Sequence, residues 1–462
     1  MLTTSQQVLS ASTLVEKQRA FFDTGATRPV KFRIEQLKKF KKVFLQYEEK
    51  MYEALKKDFN KPVFESYTSE LGLILEEIGM MIKNLENWAT PQYVSTSIGN
   101  LPARSYIYAD PYGVALVIGA WNYPVQLTLL PVVGAIAAGN TVIIKPPRIA
   151  KNTYDVIVEL IAECFDNEYV SCLDIQVGHD EMLEQRYDYI FFTGGISIGK
   201  VIARAAAEHL TPTTLELGGK SPCIVDETAS IEVAARRIIW GKCMNAGQTC
   251  VAPDYLLVHE NVKDELFKAM KKVVKEFYGD DASKSVDYAS IINDKHFDRL
   301  SSMIKDGTIV LGGNFDASKR HIEPTVITDI DFDHPLMQDE IFGPILPAFT
   351  FKTLDEAFKI VKSYEKPLAF YIFSSSYKNQ QRCMNEIQFG GGCINDTVAH
   401  LLNHDLPFGG VGHSGIGGYH GKHSFDTFTH YKGVMNKVTW PDIPLRYPPY
   451  AGKLGIVKKV IN

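Results

Sequence analysis

The sequence predicts an α/β protein built on doubly wound parallel sheets. Short apolar runs such as GVALVIG and TVIIKP have the length and the β-branched content of buried strands. Segments with helical spacing of apolar residues separate these runs, and strands that alternate with helices form parallel sheets. A second series of the same kind begins at SPCIVD, so we expect two α/β domains in this chain of 462 residues.

The elements are expected in a definite order. Apolar residues at three- and four-residue intervals predict one long helix over 31–57. The first sheet takes strands from GVALVIG, TVIIKP and YDYIFFTG, with helices from QLTLLPVVGAIAAG, NTYDVIVELIAECF and SIGKVIARAAAEHL. Gly139 is expected to end the first of these helices, and Ser197 to begin the last. The second sheet takes SPCIVD and DYLLVH, with helices from SIEVAARRIIWGKCMNAG and VKDELFKAMKKVVKEFYG.

Composition and charge argue against several classes of protein. A net charge of -5 gives no basic field for a phosphate backbone, so nucleic acid is not expected as a partner. The seven cysteines are odd in number and lack CxxC spacing, which favours a reducing, cytoplasmic compartment over a disulfide framework or a metal site. Neither a signal-peptide pattern nor a run of about 18 apolar residues occurs, so no membrane span is expected.

Two glycine-containing stretches compete for the phosphates of a dinucleotide. A literal G-x-G-x-x-G lies at Gly410, Gly412 and Gly415, but no apolar strand leads into it and no long helix follows, so a loop is predicted there. FFTGG is favoured, because a strand ending at Thr193 and a helix beginning near Ser197 would turn helical amides toward a pyrophosphate. Glycines required only by the backbone of the turn are the alternative.

Three further stretches carry charged or nucleophilic side chains. Lys145 in IIKPPR ends a buried strand, so its ammonium reaches either a ribose or phosphate in a cleft, or the solvent. Glu216 in ELGGK is either a positioned base or a salt-bridged strand residue. Cys250 in GQTC follows a helix end, where a partly exposed thiol near backbone amides is nucleophilic. The other six cysteines are predicted to be small buried hydrophobes.

Taken together, these motifs resemble those of a known enzyme family. GAWNYP, IIKP, FFTGG, LELGGKSP, NAGQTCVAPDY, EIFGPILP and LPFGGVGHSGIGGYHG stand in the order used by the aldehyde dehydrogenase superfamily, over about residues 15 to 430. GQTC, APDY and the ending GKHSFDTFTH are similar to the class-three branch, which includes fatty and aromatic aldehyde dehydrogenases. The resemblance implies a homodimer. It also implies a cofactor-binding domain over 1–214 with an oligomerisation segment near 88–110, a catalytic domain over 215–407, and a return to the cofactor and oligomerisation region with a C-terminal tail over 408–462.

The resemblance also implies a mechanism, the oxidation of aldehydes to carboxylic acids with NAD(P). Cys250 would attack the carbonyl carbon, and the Asn122 side chain with the Cys250 backbone amide would stabilise the oxyanion of the thiohemiacetal. Glu216 would then activate water to hydrolyse a thioester. Glu340 would hold the nicotinamide ribose, with Phe342 near the ring. The phosphates and the adenosine ribose would lie by Gly194, Gly195, Gly199 and Lys145.

One position departs from the family pattern and bears on the cofactor. Where many relatives read K-P-S-E, this chain reads Lys145-Pro146-Pro147-Arg148. An acidic residue there repels a 2′-phosphate, whereas an arginine pairs with one bidentately, so NADP is predicted to be favoured over NAD. The alternative is that Arg148 points to solvent and NAD binds through Lys145.

The presence of Glu216, Cys250 and Asn122 argues against two alternative functions. An acylating enzyme that transfers the acyl group to coenzyme A needs no water-activating carboxylate, and a non-catalytic scaffold would be expected to lack Cys250 or Asn122. Trp121, Tyr123, Tyr419 and His420 are expected either to line an apolar tunnel for medium- or long-chain aliphatic or aromatic aldehydes, or to pack in the core. The tail has no long apolar run, so a membrane anchor is not implied.

Overall fold

A computed structural model describes residues 9–461 of the chain. Residues 1–8, part of the N-terminal stretch in which no signal-peptide pattern is expected, lie outside the described residues. The helices are α1 (Ala11–Asp23), α2 (Val30–Gln46), α3 (Glu48–Phe59), α4 (Val63–Ser66), α5 (Gly72–Ala89), α6 (Gln126–Ala138), α7 (Lys151–Cys164), α8 (His179–Leu183), α9 (Ile196–Glu208), α10 (Ile231–Cys243), α11 (Lys263–Tyr278), α12 (Asp294–Ser302), α13 (Pro335–Gln338), α14 (Leu354–Lys362), α15 (Tyr377–Glu386), α16 (Lys422–Thr427) and α17 (Leu454–Ile461).

The strands form two large sheets and two small ones. They are β1 (Gln92–Val94), β2 (Ala103–Pro111), β3 (Val114–Ile118), β4 (Thr141–Lys145), β5 (Val170–Cys172), β6 (Tyr189–Thr193), β7 (Thr213–Glu216), β8 (Pro222–Val225), β9 (Tyr255–His259), β10 (Thr308–Leu311), β11 (Phe315–Asp316), β12 (His321–Ile322), β13 (Thr325–Thr328), β14 (Ile345–Phe351), β15 (Ala369–Phe373), β16 (Gly391–Ile394), β17 (Gly415–Ile416) and β18 (Thr429–Lys437). None of the described helices is both long enough and apolar enough to cross a membrane.

The first large sheet has the strand order β17-β7-β6-β3-β4-β5, and β3 to β7 are parallel. The chain runs outward from β3 to β5 and then returns to β6 on the other side of β3. Such a reversal opens a crevice at the carboxyl ends of the two central strands, where ligands bind in sheets of this kind. Gly415 of the G-x-G-x-x-G stretch lies in the short antiparallel edge strand β17, opposite Glu216. As predicted, no helix begins at this stretch.

The second large sheet has the order β10-β13-β14-β9-β8-β15-β16, with only β10 antiparallel to its neighbour. Two parallel sheets with helices between their strands confirm the predicted fold class. A third sheet, β1-β2-β18, is antiparallel, and β18 pairs with β2 along nine residues from Thr429 to Lys437.

The N-terminal helical region differs from the prediction in one respect. The apolar stripe is correct, since Leu37, Phe40, Phe44 and Met51 are buried. The stripe is nevertheless divided between α2 and α3, because Tyr47 leaves the helical conformation at φ -95° and ψ 1°. Its amide bonds the Phe44 carbonyl three residues back, and its hydroxyl donates to Glu163 of α7 at 2.6 Å. The prediction of one continuous helix over 31–57 was therefore wrong at this residue, and apolar periodicity alone does not reveal such a break.

Candidate active site

A cavity of about 580 Å³ lies at the crevice of the first sheet. Its walls come from the loops that follow β3 and β6 and from residues that precede β8, β9, β14 and β15. The carboxyl edge of the first sheet and the amino edge of the second therefore share one site. Of the predicted site residues, the cavity brings together Trp121, Asn122, Gly194, Gly195, Glu216, Cys250, Glu340 and Phe342.

Cys250 is placed by a tight turn between α10 and β9. Asn245 and Ala246 both have φ 51°, and Gly247 has φ 73°. A Cβ at Gly247 would lie 2.3 Å from the Gly343 carbonyl oxygen, so glycine is required there by both backbone conformation and space. The turn directs Cys250 to the boundary between this cavity and a second one, and leaves its side chain partly exposed.

Asn122 lies beside the Cys250 turn. Its side-chain amide donates to the Gln248 backbone carbonyl at 3.0 Å, and the Asn122 backbone carbonyl accepts from the Asn245 side chain at 2.7 Å. A primary amide has two N–H donors. The bond to Gln248 fixes the orientation of the Asn122 amide, and the second N–H has no hydrogen-bond partner among the described residues.

Burial disfavours the ionised forms of both Cys250 and Glu216. Desolvation raises the pKa of the Cys250 thiol, the carboxyls of Glu340 and Glu216 raise it further, and the amides of Cys250 and Val251 partly oppose them. Glu216 ends β7 and is 3% exposed. Neither of its oxygens has a hydrogen-bond partner among the described residues, and burial raises its pKa well above the ordinary value. A carboxyl in such surroundings is a stronger base than one in water.

The loop after β6 has the features of a phosphate site. Gly195 caps α9, and a Cβ at this position would meet no described atom within 4 Å, so the backbone is open toward the cavity. The buried Thr193 hydroxyl has no partner among the described residues. The unpaired amides of a helix N-terminus favour an anion. Gly199 lies outside the cavity. A Cβ at Gly199 would come within 2.5 Å of a Leu217 methyl group, so glycine is needed here for close packing.

Two cations meet near the end of β4. The Lys145 ammonium and the Arg148 guanidinium donate to the same acceptor, the Val177 carbonyl, at 3.1 and 2.5 Å. Burial and the nearby Arg148 charge lower the pKa of Lys145 to about 8. Because two positive groups share one neutral oxygen, an anion placed between them would relieve their repulsion. Neither side chain lines the cavity itself, to which this segment contributes only Pro147.

Glu340 lies on the opposite wall, before β14. A Cβ at Gly218 would stand 2.1 Å from a Glu340 carboxyl oxygen, so this part of ELGGK must be glycine for the carboxyl to lie against the backbone. Burial raises the pKa of Glu340 well above its ordinary value, and the Gly219 amide partly opposes that shift. Phe342 packs against Trp121, with ring centroids 5.3 Å apart.

A second, narrow cavity of about 100 Å³ lies on the other side of Cys250. Tyr123, Tyr419 and His420 line it, as expected for a tunnel, whereas Trp121 lies only in the first cavity, between Phe342 and His296. Sequence reasoning missed several residues of the two walls: Trp240, Met244, His296, Arg299, Leu401, Leu402 and Phe408. Most lie in segments whose apolar pattern predicts only a core, although Phe408 belongs to the quoted LPFGG motif.

A buried ion pair supports the residues around Cys250. Lys61 and Glu70 are 2.7 Å apart, and both side chains are fully buried. Glu70 also accepts from the Val125 amide at 2.8 Å, and the Lys61 ammonium lies 4.1 Å from the centre of the Tyr123 ring. The Tyr123 hydroxyl bonds the Thr249 hydroxyl at 2.6 Å. The pair therefore links the loop that carries Asn122 to the residue before Cys250.

We expect Lys61→Met to reduce the free energy of unfolding by about 3–5 kcal/mol, because it leaves the Glu70 charge buried and unpaired. The chain offers a matched control in Lys50 and Glu159, which are also 2.7 Å apart but are 52% and 55% exposed. Lys50→Met should cost less than about 1 kcal/mol. Denaturant unfolding of both variants measures the difference. Equal losses would contradict the role given to the buried pair, and adding Glu70→Gln to Lys61→Met should restore part of the loss.

The chain is similar to known aldehyde dehydrogenases along most of its length. The aldehyde dehydrogenase family model matches residues 4–434. The chain is 48% identical to 4,4'-diaponeurosporen-aldehyde dehydrogenase of Staphylococcus aureus, over 95% of this chain and 96% of that protein. It is 43% identical to "Aldehyde dehydrogenase, dimeric NADP-preferring" of Canis lupus familiaris, over 96% of this chain and 98% of that one.

The fold also matches that of a solved structure. The substrate-bound state of Staphylococcus aureus AldH superposes with a TM-score of 0.96 at 47% identity, covering 98% of this chain and 99% of the other. An aldehyde dehydrogenase family 3 member A2, from Pongo abelii, is 43% identical over 96% of this chain and 94% of that protein, in keeping with the expected class-three likeness. Matched along almost all of its length by the family model and by such relatives, this chain belongs to the aldehyde dehydrogenase family.

Proposed function

We propose that this protein oxidises aldehydes to carboxylic acids with NADP or NAD, through a thioester on Cys250. The observation that carries the proposal is the position of Cys250, between an apolar cavity and a cavity with the features of a dinucleotide site. The apolar walls favour medium- or long-chain aliphatic aldehydes or aromatic ones. Relatives named as aldehyde dehydrogenases support the reaction, and three named NADP-preferring support the cofactor.

The residues divide the chemistry between them. The Cys250 thiol gives its proton to solvent water as its sulfur bonds the carbonyl carbon, and the carbonyl π electrons pass to the oxygen. The Asn122 side chain and the Cys250 amide donate to the resulting oxyanion. When bound, the nicotinamide accepts the hydride that leaves this carbon. Glu216 then takes a proton from water as the water oxygen bonds the thioester carbon. The carbon–sulfur bond breaks, and the acid leaves Cys250 free.

The proposal includes the cofactor contacts, of which Gly194, Gly195, Glu340 and Phe342 line the first cavity, whereas Lys145, Arg148 and Gly199 lie outside it. We assign the nicotinamide ribose to Glu340 and the face of the ring to Phe342. The diphosphate would lie at the open N-terminus of α9, by Gly194 and Gly195. Lys145 and Arg148 would hold the adenosine ribose and its 2′-phosphate, with Gly199 contributing only the close packing of α9.

We also propose the arrangement of the whole chain. The cofactor domain would span 1–214 and the catalytic domain 215–407, with 408–462 returning to the first domain. The homodimer would use the segment near 88–110, which includes β1 and part of β2, next to the edge strand β18. Relatives with "dimeric" in their names support this assembly. Free thiols at all seven cysteines support a cytoplasmic location.

Replacing Glu216 by glutamine tests the hydrolytic route. We expect the first turnover to form reduced cofactor while steady-state turnover falls by about 10²–10⁴-fold. The reason is that hydrolysis of the thioester becomes slow without a base that activates water. In the wild type, the raised pKa of Glu216 means that the carboxyl loses its proton only well above its ordinary range. The steady-state rate should therefore rise with pH over the elevated range in which Glu216 loses its proton. The Glu216→Gln variant should lack this rise.

Stopped-flow absorbance of reduced cofactor separates the burst from the steady state, and Glu227→Gln, more than half exposed, is the matched control. Unchanged steady-state turnover in Glu216→Gln would remove Glu216 from the mechanism. A large acceleration of the wild type by coenzyme A, with an acyl-coenzyme A as product, would establish the acylating reaction instead.

A further inference from the structure

The turn from Asn245 to Gly247, which leads to Cys250, has a backbone conformation that two of its residues do not favour. Asn245 and Ala246 both have φ 51°, with ψ 35° and 36°. The left-handed region is costly for residues with a Cβ, and alanine has no polar side chain that could offset the cost locally. Such a conformation persists only where the surrounding groups hold it. The contacts of this turn therefore bear on the position of the Cys250 sulfur.

Asn245 is held by two sets of hydrogen bonds. Its side chain donates to the backbone carbonyls of Asn122 and Gln248 at 2.7 and 3.3 Å, which joins the turn to the Asn122 loop. The Asn245 backbone amide donates to a carboxyl oxygen of Glu65 at 2.6 Å. Glu65 belongs to α4, so this second contact ties the strained turn to a separate part of the chain.

The short segment that carries Glu65 also holds the Asn122 loop. Glu70 lies in the π-helical turn Tyr67–Leu71, which continues directly from α4, and it accepts from the Val125 amide at 2.8 Å. Two carboxyl groups five residues apart therefore bind the backbones of the nucleophile turn and of the Asn122 loop. π-helical turns are rare, and they occur frequently at functional sites. The segment fixes the two loops relative to each other.

The Glu65 carboxyl accepts the amide whatever its charge. Burial raises the pKa of Glu65, the Lys61 charge and the Asn245 amide oppose that shift, and the Glu70 charge adds to it. A carboxyl oxygen accepts a hydrogen bond in either protonation state, and the side-chain oxygen of glutamine does the same. A methyl side chain offers no acceptor, so it would leave the Asn245 amide unpaired and the strained turn free to relax.

We propose that Glu65 is a positioning residue for the nucleophile, which fixes the Cys250 turn relative to the Asn122 side-chain amide without contact with the substrate. Among the described residues, those that line the two cavities do not include Glu65. The inference rests on the proposed aldehyde oxidation through Cys250. In that reaction the carbonyl carbon must reach the sulfur while the carbonyl oxygen reaches the Asn122 amide. A displacement of about 1 Å between these groups costs about 10²-fold in rate.

Rapid-mixing measurement of the first turnover tests the role of Glu65. We expect Glu65→Ala to lower the rate constant of the burst of reduced cofactor by about 10²-fold at saturating aldehyde and cofactor. Glu65→Gln, which keeps an oxygen for the Asn245 amide, should recover most of that rate. Two further measurements should stay near the wild-type values in both variants. They are the Kd of the cofactor, from fluorescence titration, and the rate of alkylation of Cys250 by iodoacetamide, from peptide mass spectrometry, because alkylation needs the sulfur but no oxyanion donor.

Asp58 provides the matched control. It is 7% exposed and accepts from the backbone amides of Asn152 and Thr153 at 3.2 and 2.9 Å, at the start of α7. Asp58→Ala should lower the free energy of unfolding but leave the burst rate constant of the folded protein unchanged. If Glu65→Ala does not fold, Glu65→Asp takes its place, because the shorter side chain withdraws the carboxyl from the Asn245 amide. The burst should then slow in the same way.

Three results would overturn the proposal: a wild-type burst rate in Glu65→Ala or Glu65→Asp, an equal loss in Asp58→Ala, and a loss in Glu65→Gln as large as that in Glu65→Ala. A parallel fall in Cys250 alkylation or in cofactor affinity would also contradict it, because Glu65 would then act on the thiol or on the fold as a whole. Failure of the proposed function would instead appear as a wild type that forms no reduced cofactor from any aldehyde, although Cys250 is still alkylated.

Discussion

The Cys250→Ala variant should lose aldehyde oxidation by at least about 10⁴-fold while it still folds and binds cofactor. The covalent route depends on a sulfur that bonds the carbonyl carbon, and the other groups of the site act on the intermediate that this bond creates. Without the sulfur, the Asn122 amide has no oxyanion to bind and Glu216 has no thioester to hydrolyse. The loss should therefore appear in the burst as well as in the steady state.

The remaining cysteines provide the control. Cys172 is also partly exposed, but it lies in the edge strand β5 and outside both cavities. Burial raises the pKa of its thiol, and no described residue opposes that shift, whereas two backbone amides do so at Cys250. An aldehyde panel followed by nicotinamide absorbance should show normal turnover for Cys172→Ala. Equal turnover by wild type and Cys250→Ala would mean that the nucleophile is wrongly assigned.

The sequence predicted the fold class because the signals for it are local. Gly139 ends α6 with φ 96°, and the apolar runs around β3, β4 and β6 carry the β-branched and apolar residues of buried strands. The break at Tyr47 escaped prediction, since both halves of the helical region continue the same apolar stripe and the contact with Glu163 comes from a distant helix.

The candidate site was predicted only in part, for a physical reason. Motif residues such as Asn122 and Cys250 are held by the backbone of their own loops, so short sequence stretches are enough to predict them. Tunnel residues such as Trp240 and Leu402 contribute only apolar surface, and a sequence does not distinguish surface that faces a cavity from surface that faces a core. Trp121 illustrates the point, because it was grouped with Tyr123 but lies on the other side of Cys250.

The Arg148→Glu variant should shift the cofactor preference of the enzyme from NADP toward NAD. We expect the ratio of kcat/KM for NADP to that for NAD to fall by about 100-fold, because one charge-assisted pair is lost and one repulsion is gained. Arg148 is exposed, so part of the effect should be screened by salt, and the ratio should fall further at low ionic strength than at high. Arg186→Glu introduces the same change of charge at a side chain that is 69% exposed, and it should leave the ratio near that of the wild type.

Lys145 separates a true phosphate contact from a general change of charge. Its lowered pKa of about 8 has burial as its first cause and Arg148 as its second. Protonated Lys145 attracts the 2′-phosphate, so kcat/KM for NADP in the wild type should decline as pH rises through about 8. With glutamate at position 148 the repulsion becomes an attraction, so the pKa of Lys145 rises and the decline moves to higher pH. Two results would together contradict this assignment: an unchanged kcat/KM for NADP in Arg148→Glu, and a fall of kcat/KM with pH that stays at the same pH. Arg148 would then point to solvent, and neither cation would bind the 2′-phosphate.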